Sequence, residues 1–207
     1  MELAQGGKVD EALAKLNAVI AGAHKDERRS LEFLKVEILG SVGKPDLAVK
    51  ELDRMLGESS GEELTEIKML KFQIMSSEGM SGADKMFFEM ADLVKDPALQ
   101  NSVAWSVVQM RLERKVVSPK MLAKARALAD AAVAAEPVAD VLETQAHLVF
   151  MQGDVEKAIA IQKRALADAH DPQFVSRLKH FLEEWQAEMT PREMESESGK
   201  QVPPPRR

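Results

Sequence analysis

There is no cysteine among the 207 residues. That removes disulfides, thiolate nucleophiles, CxxC redox pairs and cysteine-ligated zinc or iron–sulfur centres from this stretch of chain. Tyrosine is also absent, and the aromatic complement is seven Phe and two Trp. No uninterrupted apolar run approaches the roughly 18 residues of a membrane helix. The longest weakly charged stretch, from Ala129 to Val141, already contains Asp130, Glu136, Pro137 and Asp140. No membrane insertion is expected. The first residues, Met1 to Gly7, offer neither a basic region nor a long apolar core, so the chain as written reads as cytoplasmic. Large basic patches are missing too. The net charge is −6, and the clusters Lys25/Arg28/Arg29 and Arg111/Arg114/Lys115 are short, which argues against nucleic acid as a partner.

Strand signals are nearly absent; Val116-Val117 is the one β-branched pair, and it runs into Ser118-Pro119. Apolar residues instead recur at three- and four-residue spacing, as in Leu31, Leu34, Ile38 and Leu39, or Leu47, Leu52, Met55 and Leu56. Helix starts carry their own chemistry. Asp96-Pro97, Ser118-Pro119 and Asp171-Pro172 pair a capping side chain with a proline that needs no N–H partner. Ser60 and Glu63 have capping-box spacing, and Gly57 stands where a C′ glycine would. Together these features predict helices over 2–6, 9–22, 26–41, 45–57, 61–76, 82–94, 97–113, 119–135, 138–151, 154–168 and 172–188. From 189 onward Ser, Glu and Pro dominate, and a disordered tail is expected over 189–207.

The helices come as repeated pairs. Gly7-Lys-Val-Asp-Glu-Ala12, Gly43-Lys-Pro-Asp-Leu-Ala48 and Gly153-Asp-Val-Glu-Lys-Ala158 share one pattern, and the fourth and seventh residues after each alanine also correspond. Ala125 with Ala129 and Ala132 repeats the later part, and Met86 with Met90 and Leu93 is a degenerate version. From Ala12 through Ala48, Met86 and Ala125 to Ala158 the separations are 36, 38, 39 and 33 residues. Two helices per period of this length resemble the tetratricopeptide repeat, over roughly residues 1–169. The resemblance implies an all-α, right-handed solenoid of antiparallel helix pairs over 1–188. The helix carrying Phe174, Leu178, Phe181, Leu182 and Trp185 would cap it. The first unit has only a remnant of its leading helix before Gly7, so this chain is expected to be the C-terminal part of a longer array or protein, with an open first helix able to pair with a second copy.

Residues 98–187 are more particular. Asn101-Ser-Val-Ala-Trp105, the long turn Arg114-Lys-Val-Val-Ser-Pro119 and Val141-Leu-Glu-Thr-Gln145 precede the Gly153 unit. This stretch resembles the C-terminal helical repeats of bacterial thioredoxin-like (redoxin/TlpA-type) proteins. Such a resemblance implies a scaffold beside a redox domain encoded upstream, and a periplasmic location if the chain belongs to a secreted protein of that type.

In tetratricopeptide proteins the first helix of each pair lines a concave, partner-binding face. Carried onto this chain, those places are Asn101, Trp105, Val108 and Gln109, and Asp140, Glu143, His147, Phe150 and Met151. Asn101, Trp105, Gln109, Glu143, His147 and Phe150 are therefore the candidate partner-binding residues. Trp105 has two readings, a groove-facing hot spot or a core ring packed between units. Asp140 and Glu143 stand where a clamp for a peptide's terminal carboxylate would need cations. The Met86-Phe87-Phe88-Glu89-Met90 cluster is read as core packing in preference to an adaptable binding surface. His24, His147, His170 and His180 are scattered, and no acid/base pair or nucleophile stands out, so no metal, cofactor or catalysis is expected. The expected function is non-catalytic binding of a protein or peptide. The alternatives are the redox-domain appendage and a self-associating assembly module.

Overall fold

The computed structural model describes residues 8–198. Among them are ten helices and no strand: α1 (Val9–Gly22), α2 (Lys25–Ser41), α3 (Pro45–Leu56), α4 (Gly61–Ser77), α5 (Ala83–Leu93), α6 (Pro97–Leu112), α7 (Pro119–Ala135), α8 (Ala139–Met151), α9 (Val155–Asp168) and α10 (Pro172–Ser198). The predicted bounds of α1 to α9 fall within about one residue of these. The helix expected over 2–6 lies outside the described residues. The break expected after Glu188 is not taken: α10 continues past Pro191 to Ser198, through Arg192, Glu193, Met194 and Glu195, all good helix formers. The remainder of the expected tail, 199–207, lies outside the described residues.

The caps explain several of these boundaries. Asp96, Ser118 and Asp171 each accept a hydrogen bond from the backbone N–H three residues on, at 3.0, 3.2 and 2.8 Å. Asp154 does the same for Lys157 N–H at 3.1 Å. Two expected caps do not form. Ser60 makes no side-chain cap bond, and the Glu63 carboxylate reaches the Arg29 Nε at 2.6 Å instead of folding back. Gly57 has helical φ/ψ of −66° and −18°, so it is not a left-handed C′ residue.

Four turns share another device. At the ends of α2, α4, α6 and α8 the residues Gly43, Gly79, Arg114 and Gly153 have φ of 72°, 64°, 60° and 90°. Each lets the following N–H turn back to a carbonyl in the last helical turn: Lys44 to Leu39, Met80 to Met75, Lys115 to Met110 and Asp154 to Val149. The chain reverses there, so α2/α3, α4/α5, α6/α7 and α8/α9 are helical hairpins. Glycine adopts this backbone at little cost; Arg114 is the one non-glycine residue in it among the described residues.

The chain divides into two compact units between Leu93 and Val94, inside the span 1–188 that the sequence presents as one repeat domain. In the first, α1 to α5 pack in chain order; Val36, Leu39, Ala48, Leu52, Met55 and Ile67 form a core among α2, α3 and α4, with Leu13 of α1 against it. In the second, α6 to α10 pack in chain order, and α6 also touches α8. Its core joins Leu142, Ala146 and Val149 of α8 to Ala158 and Ala165 of α9 and to Leu178 and Trp185 of α10. The stripe on α10 thus covers the α8/α9 pair as its spacing suggested. Gln162, the polar exception in the α9 stripe, is fully buried, and its Nε2 donates to the Leu178 carbonyl at 3.2 Å.

The degenerate repeat shifts by three residues. Leu93 is 44% exposed, whereas Ala83, Phe87 and Met90 are buried at the spacing of Ala48, Leu52 and Met55. The pattern was hard to read because Phe87 replaces an aliphatic residue, and Met86 is buried beside it. The Met86–Met90 cluster is core: Phe72 and Phe87 pack at 5.6 Å between centroids.

Candidate functional site

Four of the expected partner-binding residues come together in the second unit, with a cation the sequence reading missed. Glu143 and His147 lie one turn apart on α8, with exposures of 2% and 4%. Arg177 of α10 grips Glu143 with two bonds, Nε to Oε1 at 2.9 Å and Nη2 to Oε2 at 2.7 Å. Its guanidinium also stands 5.8 Å from the Trp105 ring and 4.9 Å from the Phe174 ring. His147 is enclosed by ring edges: Trp105 at 5.6 Å, Phe181 at 4.4 Å and Trp185 at 5.0 Å. Phe150 stacks on Trp185 at 4.8 Å with ring planes 13° apart.

Burial sets the protonation of this cluster. Loss of hydration drives the His147 imidazole pKa down to about 4, and the Arg177 charge adds to that. His147 is therefore neutral near pH 7, and its Nε2 has no hydrogen-bond partner. Burial also pushes the Glu143 carboxyl above its ordinary value, with Asp140 contributing, while the Arg177 pair pulls it back. Arg177 itself is held charged by that carboxylate.

The face expected to be open is thus largely closed. Glu143, His147 and Phe150 are engaged by α10, and Val108 is buried. Trp105 is half-buried, with His147 at its ring and the Arg177 guanidinium over it. Asn101 is half-buried with an unpartnered Oδ1, and Gln109 is exposed. One signal could have found Arg177. It lies 34 residues after Glu143, within the 33–39-residue range that separates the repeated segments of the sequence. Phe181 stands in the same relation to His147.

An open groove lies in the first unit, on the faces of α2 and α4, with a volume of about 660 Å³. From α2 come Phe33, Leu34, Glu37 and Gly40; from α4 come Glu66, Leu70 and Ile74. These follow single helical faces at three- and four-residue spacing. The floor is apolar, and Glu37 and Glu66 are exposed beside it. A second hollow of about 510 Å³ lies among α3, α4 and α5, where Lys68, Lys71 and Lys85 face Asp53 and Glu89. Its lysines are all paired: Lys71 with Asp53, and Lys68 and Lys85 with Glu89 at 3.1 and 3.7 Å.

Among the described residues no three His, Asp or Glu side chains stand close enough to hold a metal ion, and no helix is long and apolar enough to cross a membrane. No known family model matches the chain, and no curated protein is similar to it in sequence.

Proposed function

We propose that this protein is a non-catalytic binding scaffold of the tetratricopeptide type, which takes up a protein or peptide segment on the faces of its first-position helices. Right-handed stacking of the pairs within each unit belongs to the same reading. The observation that carries it is the open apolar groove on α2 and α4, formed by the side of each pair that such scaffolds use. The four hairpins with a left-handed residue at each turn, and the repeated buried triad in α3, α5, α7 and α9, small or apolar but for Gln162, support the same assignment. The absence of thiols and the burial of neutral His147 among aromatic rings speak for binding over chemistry.

Selection of random peptides displayed on phage, with the full chain immobilised, tests the reading. Enrichment of a shared motif is the expected result. A selection that enriches nothing above the uncoated surface removes the peptide-binding reading.

A further inference from the structure

Two independent features of the α2/α4 groove point to what it receives. The first is charge. In this unit Glu32, Glu51, Glu58 and Glu63 are all tied to Arg29, Lys35 or Arg54. Glu37 and Glu66, the two carboxylates lining the groove, are exposed and have no ion-pair partner among the described residues, as is also true of Glu27, Asp46, Glu62, Glu78 and Asp84 elsewhere in the unit. An apolar floor flanked by unanswered negative charge complements an apolar segment flanked by cations.

The second feature is Gly40. It lies in the last turn of α2, one residue before Ser41, where its backbone is helical and glycine costs at most part of the roughly 1 kcal/mol by which it trails alanine in a helix interior. The fold does not require it: a Cβ built at Gly40 meets nothing within 4 Å. Positive φ does not require it either, since Gly40 is not among the residues with that backbone. The missing side chain leaves the end of the groove open beside Glu37, with room for a side chain from outside.

We infer that the α2/α4 groove is the receptor for a short segment of a partner protein that carries apolar side chains between lysines or arginines. An apolar side chain enters the space beside Gly40, and the flanking cations meet Glu37 and Glu66. This rests on the scaffold reading and adds the partner's chemistry and the groove that takes it.

The test uses the full chain and two fluorescein-labelled synthetic peptides of one length and one leucine pattern, the first flanked by lysines and the second by glutamates. Fluorescence anisotropy should show the lysine peptide binding and the glutamate peptide at least about tenfold weaker, with the preference shrinking as salt rises. Gly40→Leu should fill the groove end and abolish binding while keeping the melting temperature at or above that of the parent, since the site is open and leucine favours helix. Glu37→Lys with Glu66→Lys should reverse the charge preference. Equal binding of both peptides overturns the inference. So does binding that survives Gly40→Leu, although a scaffold acting through another face, such as that of Trp105, would then stand. If Gly40→Leu instead turns a dimer into a monomer in light scattering, the groove is an interface between copies and the inference falls. If neither peptide binds while the phage selection still enriches a motif, the partner chemistry fails and the scaffold reading stands; if both experiments are blank, both fail.

Discussion

His147 and Glu143 show how one buried turn of helix can hold two ionisable groups in opposite states. The imidazole is kept neutral by its enclosure, and the carboxylate keeps its charge through the two-pronged grip of Arg177. An unfolded histidine takes a proton near pH 6.5, whereas folded His147 resists until about 4. Between those values the unfolded chain binds more protons, so stability is complete above pH 6.5 and declines as pH falls, by up to about 1.4 kcal/mol per pH unit. Urea unfolding at pH 7 and pH 5 should show a loss roughly 1–2 kcal/mol larger for the parent than for His147→Phe. Arg177→Ala should cost about 1–3 kcal/mol at pH 7 by stranding a buried carboxylate, discounted because the guanidinium is half exposed. That deficit should shrink as pH falls, since Glu143 already titrates above its ordinary value and would accept a proton earlier once unpaired. Denaturant midpoints across pH 4–7 measure both effects. His147 was singled out in the sequence by its repeat position. Its burial was not, because the rings that enclose it come from α6 and α10, distant in sequence.

At the scale of the element, the hairpin turns form a natural experiment. Gly43, Gly79 and Gly153 meet the left-handed requirement without strain, and Arg114 meets it at a cost of roughly 1 kcal/mol. Arg114→Gly should therefore raise stability by about 0.5–1 kcal/mol, a shift of a few degrees in the melting temperature. Gly153→Ala should lower stability by a similar amount or more, and a gain on that substitution would contradict the turn geometry. Nearly all helix bounds were readable locally, because prolines, capping side chains and apolar spacing all act within a few residues. The failures have physical causes as well. Ser60 lost its capping-box partner to Arg29, a residue of a different helix. The degenerate triad slipped from Met86, Met90, Leu93 to Ala83, Phe87, Met90 because both sets have helical spacing, and packing alone chooses between them.

Across the whole molecule, burial is uneven. Helix α1 contains no fully buried residue, whereas most of α8 is buried. Repeat proteins draw stability from neighbouring interfaces, so protection should follow that gradient. Amide hydrogen exchange should find α1 the least protected of α1 to α9 and α8 among the most, and strong protection of α1 would show that something further covers it. Leu13, Leu16 and Ile20 are only partly covered, and Val19 is 55% exposed.

The sequence by itself determined the helices and their pairing, since each is set by chemistry within one turn or by spacing along one chain. It also determined the absence of thiol chemistry. Tertiary structure alone decided which repeated face stays open. In the second unit α10 brings Arg177, Phe181 and Trp185 onto α8, closing off Glu143 and His147, while the α2 and α4 faces remain a groove with two unanswered carboxylates. Helical spacing defines a face; what covers that face depends on which side chains a distant helix delivers to it.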